Sequence, residues 1–201
     1  MDKWYYISQE DHVQNIRNVC EAGIRLVQLR AKNMEEQTLL ELALEAQKIC
    51  KKHRTTFIIN DHVALAKEIQ ADGVHLGQND LNPIEARELL NSSQIIGGTA
   101  NTLDDCKKLI DQKVDYIGLG PFRYTTTKKN LSPILGLEGY QQITSKLRRE
   151  GHSTPIYAIG GITQNDFNNL FNTHIHGIAI SGLISHQSPE SIQSILAIPH
   201  L

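Results

Sequence analysis

Residues 58–80, IINDHVALAKEIQADGVHLGQND, constrain the fold more tightly than any other stretch. The segment opens in an apolar strand over 57–59 that runs out at Asn60 and Asp61. A helical run from Val63 to about Ala71 carries apolar residues at Val63, Ala66 and Ile69. Asp72 and Gly73 then turn the chain into a second strand over 74–77, which ends at Gln78 and Asp80. Strand, helix and strand in so few residues make a parallel βαβ unit with a right-handed crossover. Such a unit leaves both strand C-termini on one rim, so Asp61 and Asp80 face one crevice. Two carboxylates there suit a magnesium ion, which is commonly held by one or two carboxylates together with substrate phosphates. Helix capping is an equal reading, Asp61 serving a helix from His62 and Asp80 one from Pro83.

The same period runs along the whole chain. Strands are predicted at 4–7, 26–29, 57–59, 74–77, 95–98, 116–119, 156–159 and 177–180. Helices are predicted at about 12–22, 35–52, 63–71, 83–90, 102–112, 137–149, 164–172 and 189–197. The first helix places Val13, Ile16, Val19 and Cys20 on one face and is followed by Gly23, a common helix stop. Several strands are almost wholly apolar, as strands buried on both faces are. Eight such repeats over residues 1–201 predict a single-domain (β/α)8 barrel, at the small end for that fold. A doubly wound open sheet is the alternative, although no Gly-rich dinucleotide fingerprint follows the first strand.

A net charge of −2, with no basic cluster interleaved with aromatics, argues against a nucleic-acid partner. No stretch is apolar enough for a signal peptide or a membrane span, so a soluble cytoplasmic protein is expected. Oligomeric state is left open. Cys20, Cys50 and Cys106 are widely spaced and form no CxxC, which disfavours zinc and disulfides; Cys20 and Cys50, at apolar helix positions, are expected to be buried free thiols.

In a barrel of this kind, chemistry sits at the C-terminal strand ends. After the second strand, alternation points Gln28, Arg30 and Lys32 the same way, a cationic row suited to anionic oxygens. After the sixth, the longest loop (120–135) carries Thr125, Thr126, Thr127, Lys128 and Lys129, a hydroxyl and lysine series able to cradle phosphate or simply to be solvated. Gly160 and Gly161 follow the seventh strand, and Ser181 and Gly182 the eighth, where this barrel commonly binds phosphate. His75, inside the fourth strand, reads equally as a core histidine or a ligand contact. No nucleophile set is evident. The combination suits an enzyme that handles two phosphorylated groups, one of them with magnesium.

QLRAK at 28–32, IIND at 58–61, ADGVHLGQND at 71–80, DYIGLGPFRYTTTKK at 115–129, AIGGI at 158–162 and the Ser181–Gly182 corner together resemble the thiamine-phosphate synthase family, in order and at similar spacing. The resemblance implies a (β/α)8 barrel enzyme that joins hydroxymethylpyrimidine diphosphate to a thiazole phosphate. It implies that Gln28, Leu29, Arg30, Ala31, Lys32, Asn60, Thr99 and Lys128 hold the pyrimidine diphosphate. Asp61 and Asp80 would bind Mg2+ on that diphosphate. Thr125, Thr126, Thr127, Gly161, Ser181 and Gly182 would hold the thiazole phosphate. The implied mechanism is dissociative: diphosphate leaves first and the thiazole nitrogen captures the carbocation. The chain has Thr99 where the family usually has serine, Asn101 where histidine is frequent, and Gly182 where serine is frequent; His62 and Tyr124 replace common arginine and proline residues. A thiazole tautomerase-like relative, a non-catalytic phosphate-ligand sensor and an unrelated phosphate-binding barrel are the alternatives.

Overall fold

A computed structural model describes residues 1–124 and 133–197. Eight parallel strands close into one barrel in strict chain order: β1 (Trp4–Ile7), β2 (Leu26–Leu29), β3 (Thr56–Asn60), β4 (Gly73–Leu76), β5 (Ile95–Ala100), β6 (Tyr116–Leu119), β7 (Ile156–Ile159) and β8 (Gly177–Ile180). The ring is completed where β1 pairs with β8, Tyr5 opposite Ala179. The open-sheet alternative is thereby excluded.

The helices are α1 (His12–Glu21), α2 (Glu36–Lys52), α3 (Val63–Glu68), α4 (Pro83–Leu89), α5 (Leu103–Asp111), α6 (Gly136–Arg149), α7 (Phe167–Phe171) and α8 (Pro189–Leu196). Local chemistry sets their ends. Thr102 and Asp105 form a reciprocal capping box at α5, and Asn82 caps α4 by accepting from the Ile84 N–H at 2.9 Å. The α3 run stops at Glu68 rather than 71, since Gln70 takes a left-handed φ of 52° that a helix cannot continue. The helix expected over 164–172 opens as a 3-10 turn, Gln164–Asp166, before α7.

Alternation along each strand sorts side chains into two layers. Tyr6, Val27, Leu29, Ile59 and Val74 face outward into the layer shared with the helices. Tyr5, Leu26, Ile58, Tyr116 and Tyr157 face inward and fill the barrel. Three of these are tyrosines, so the barrel is packed with large rings that also carry polar ends. Cys20 and Cys50 are buried free thiols, as expected, and so is Cys106. Among the described residues no helix is long and apolar enough to cross a membrane.

Candidate active site at the barrel mouth

One cavity of about 530 Å³ opens at the C-terminal strand ends, within the size range of small-molecule sites. Gln28, Arg30, Lys32, Asn60, Asp61, Asp80 and Thr99 line one part of it, and Gly161, Ser181 and Gly182 another. Leu29 and Ala31 do not line it: alternation turns both side chains into the helix-facing layer, leaving only their backbone near the row. Thr125, Thr126, Thr127 and Lys128 lie outside the described residues.

The β2 row climbs from a dry floor to a wet rim. Gln28 is 1% exposed, Arg30 is half-buried, and the Lys32 side chain is 51% exposed. Burial works against the Arg30 charge, and the Asp61 carboxylate partly offsets that. Lys32 Nζ lies 3.8 Å from Asp61 Oδ2. Ser8, buried at the end of β1, holds the row in place: its Oγ accepts the Arg30 backbone N–H at 3.1 Å and meets His12 Nδ1 at 2.8 Å. With its own proton turned to His12 Nδ1 the hydroxyl would serve both neighbours, an arrangement that needs a neutral imidazole. Burial, which lowers the His12 pKa, favours that neutral form.

The two rim carboxylates are not helix caps. Asp61 sits at a left-handed φ of 64° before α3, whose N-cap is His62 with no side-chain cap bond. Asp80 Oδ2 instead accepts the Gly77 N–H at 2.7 Å, folding the turn after β4 back toward the mouth. Burial, and then the neighbouring Asp80 carboxyl within hydrogen-bonding reach, push the Asp61 pKa up to about 6. Among the described residues no group of three or more His, Cys, Asp or Glu side chains converges on a metal position. A two-carboxylate set fits magnesium, which takes its remaining ligands from phosphate and water, and does not fit zinc.

The opposite corner is built from backbone. Gly160 and Gly161 adopt φ of 98° and 66°, and a Cβ at Gly161 would lie 2.5 Å from Arg123 Cγ, so only glycine passes here without strain. Arg123 straps this turn from the β6 side. It gives Asp166 two hydrogen bonds, at 2.6 and 2.9 Å, and the Gly161 carbonyl one at 2.8 Å. That paired guanidinium holds the Asp166 carboxyl down to about 2. Beside the turn, Ser181 Oγ is buried with no hydrogen-bond partner among the described residues. An orphaned hydroxyl at a glycine-walled corner is a ready partner for an anionic oxygen.

Sequence reasoning named Gln28, His75 and Thr99 but missed the two tyrosines, Tyr5 and Tyr116, that join them across the floor. Gln28 Nε2 donates to Tyr5 Oη at 2.6 Å, Tyr5 and Tyr116 hydroxyls meet at 2.6 Å, Tyr116 Oη meets His75 Nδ1 at 3.0 Å, and His75 Nε2 meets Thr99 Oγ1 at 2.9 Å. Polar rings inside otherwise aliphatic strands, with glycine directly beside one of them at Gly97, were the available signal.

The sequence model of the family described as thiamine monophosphate synthase matches residues 2–184. A thiamine-phosphate synthase of Flavobacterium johnsoniae is 48% identical over 195 residues, covering 95% of this chain and 92% of that protein. One from Phocaeicola vulgatus is 47% identical over 180 residues, covering 90% and 86%. A solved structure, thiamine phosphate pyrophosphorylase from Pyrococcus furiosus, superposes with a TM-score of 0.83 at 25% identity, covering 97% of each chain.

Proposed function

The chain belongs to the thiamine monophosphate synthase family, transferases that make thiamine phosphate, and from that premise we propose how its cavity performs the condensation. The substrates are 4-amino-2-methyl-5-hydroxymethylpyrimidine diphosphate and 4-methyl-5-(2-hydroxyethyl)thiazole phosphate or its carboxylated form; the products are thiamine phosphate and diphosphate. The observation that carries this assignment is the gradient along β2, from the buried amide of Gln28 through Arg30 to the exposed Lys32 beside Asp61. A molecule with a neutral heteroaromatic ring at one end and a multiply charged anion at the other matches that gradient.

In this reading the pyrimidine ring lies over Gln28 and Asn60, with the Leu29 and Ala31 backbone alongside. Its diphosphate meets Arg30, Lys32, Thr99 and Lys128. Asp61 and Asp80 would hold Mg2+, whose chemistry when bound would be to neutralise charge building on the leaving group. The thiazole phosphate is held by Thr125, Thr126 and Thr127 together with Gly161, Ser181 and Gly182, where the orphaned Ser181 hydroxyl gains its partner.

The chemistry asks little of a nucleophile. Breaking the C–O bond to diphosphate leaves a pyrimidine-stabilised carbocation, and the thiazole nitrogen supplies the electron pair that forms the new C–N bond. The protein's work is to stabilise the departing oxygens with Arg30, Lys32 and Lys128, and to hold the acceptor ring in line. The tautomerase alternative relies on a histidine near position 101; here Asn101 occupies it and donates its amide to the Gly120 carbonyl.

The test is diphosphate release from the pyrimidine diphosphate, with and without thiazole phosphate and with and without magnesium. Release that requires all three, with equimolar thiamine phosphate, is the expected result. Tight binding of both ligands without release would overturn the assignment.

A further inference from the structure

The barrel floor carries a device that substrate binding alone does not require. Five side chains from five strands, Gln28, Tyr5, Tyr116, His75 and Thr99, are joined end to end by four hydrogen bonds of 2.6–3.0 Å. The first and last line the cavity, as does His75; Tyr5 and Tyr116 do not, and both are essentially inaccessible. The backbone makes room for them. A Cβ at Gly97 would overlap the Tyr116 ring, and one at Gly118 would lie 3.2 Å from His75 Cε1. The Tyr116 and His75 rings lie face to face, 5.5 Å between centroids and 27° between planes.

Proton counting gives this chain a direction. A phenol or hydroxyl has one proton, and a neutral imidazole has one donor and one acceptor nitrogen. Burial keeps both Tyr5 and Tyr116 protonated. With Gln28 Nε2 donating to Tyr5 and His75 neutral, the arrangement that leaves no buried proton unpaired sends the Tyr5 proton to Tyr116, the Tyr116 proton to His75 Nδ1, and His75 Nε2–H to Thr99. Thr99 then has its own proton to offer the cavity, and Gln28 has Oε1 to offer as an acceptor. Turning the Gln28 amide over reverses every bond: Gln28 would present a donor and Thr99 only lone pairs. The two ends switch together because a half-reversed chain leaves a buried hydroxyl unpaired or two protons opposed.

We infer that these five residues form a polarised relay that makes the enzyme read its pyrimidine substrate as a whole, requiring a hydrogen-bond donor on the ring at Gln28 together with an anionic acceptor at Thr99. Tyr5 and Tyr116 are therefore positioning and specificity residues for a ligand they never touch. An aminopyrimidine diphosphate satisfies both ends in one polarity. An analogue with a ring carbonyl in place of the amine turns Gln28 over, and Thr99 then aims lone pairs at the diphosphate.

The inference rests on the proposed pyrimidine diphosphate assignment, and the experiment separates the two. The probes are the aminopyrimidine diphosphate and its ring-carbonyl analogue, each bound to full-length protein with 15N-labelled histidine. The amine-bearing ligand is expected to hold His75 as the Nε2–H tautomer, and the carbonyl analogue to shift it to Nδ1–H. Kinetically, Tyr116→Phe and Tyr5→Phe each keep a ring of the same shape but cut the chain. Each is expected to reduce the wild-type preference for the amine over the carbonyl, as a ratio of kcat/KM, by about tenfold. A lesion that only disturbed packing would lower both substrates alike and leave the ratio unmoved. The same His75 tautomer with both ligands, or an unchanged ratio in both variants, overturns the relay while leaving the substrate assignment standing. Failure of the wild type to bind the aminopyrimidine diphosphate overturns the assignment and the relay with it.

Discussion

The floor and the rim of this cavity are held in opposite ways. At the floor, five polar side chains are already linked to one another before any ligand arrives: Gln28 is 1% exposed and its nitrogen is already used. At the rim, Lys32 meets Asp61 only at 3.8 Å, Asp61 is pushed up to about 6, and Ser181 Oγ has no partner among the described residues. The floor is therefore linked by folding, with only its polarity left to the ligand, and the rim is finished by binding. Rigid recognition of a small neutral ring calls for the first. Charges that must release diphosphate after each turnover call for the second, since a rim that satisfied itself would gain nothing from substrate.

The sharpest way to break the rim is Asp61→Ala. Magnesium-dependent turnover is expected to fall by about 100-fold or more, with circular dichroism unchanged; normal rates in this variant would dismiss the metal assignment. Below that stands Arg30→Ala, set against Lys32→Ala. The half-buried guanidinium is expected to cost about 30- to 100-fold in kcat/KM for the pyrimidine diphosphate, and the exposed lysine about 5- to 10-fold. Equal losses would mean that depth along the row is irrelevant. Ser181→Ala comes next, raising KM for the thiazole phosphate about 3- to 10-fold with kcat little changed; a change confined to the pyrimidine KM would move Ser181 to the other subsite.

The smallest effect belongs to the strap that holds the glycine corner. Asp166 has its folded pKa depressed to about 2, below the ordinary value of about 4. Its contribution to stability is thus present above about pH 4 and is lost as pH falls through 2. Asp166→Asn should lower the melting temperature by about 2–4 °C at pH 7, modestly because Arg123 is largely exposed, and the difference should close toward pH 2. A gap that widened in acid would reverse the sign assigned to this pair.

What the sequence made legible follows from range. Strand and helix identity came from spacings of two to four residues, and all eight strands stand within about two residues of their expected bounds. Strand-end residues such as Asp61, Asp80, Arg30 and Ser181 were readable because a parallel barrel brings every C-terminal strand end to one mouth, whatever the packing. The floor was not readable. Tyr5 and Tyr116 are 111 residues apart, and nothing in either strand states that their hydroxyls meet. For the same reason His75 could not be resolved between core and ligand contact; it is buried at 8% exposure and lines the cavity. The capping reading of Asp61 and Asp80 gave way to a backbone detail, a left-handed φ in one case and a turn to Gly77 in the other.

Closure of the ring through β1 and β8 carries a consequence for synthesis. Of the eight strands, Trp4–Ile7 leaves the ribosome first and its partner Gly177–Ile180 last. Throughout that interval the nascent sheet has two bare edges, each a template for pairing with another chain. A chain released before residue 177 should scatter light on standing where the full chain does not, so an early stop yields an aggregating fragment and not a shorter enzyme.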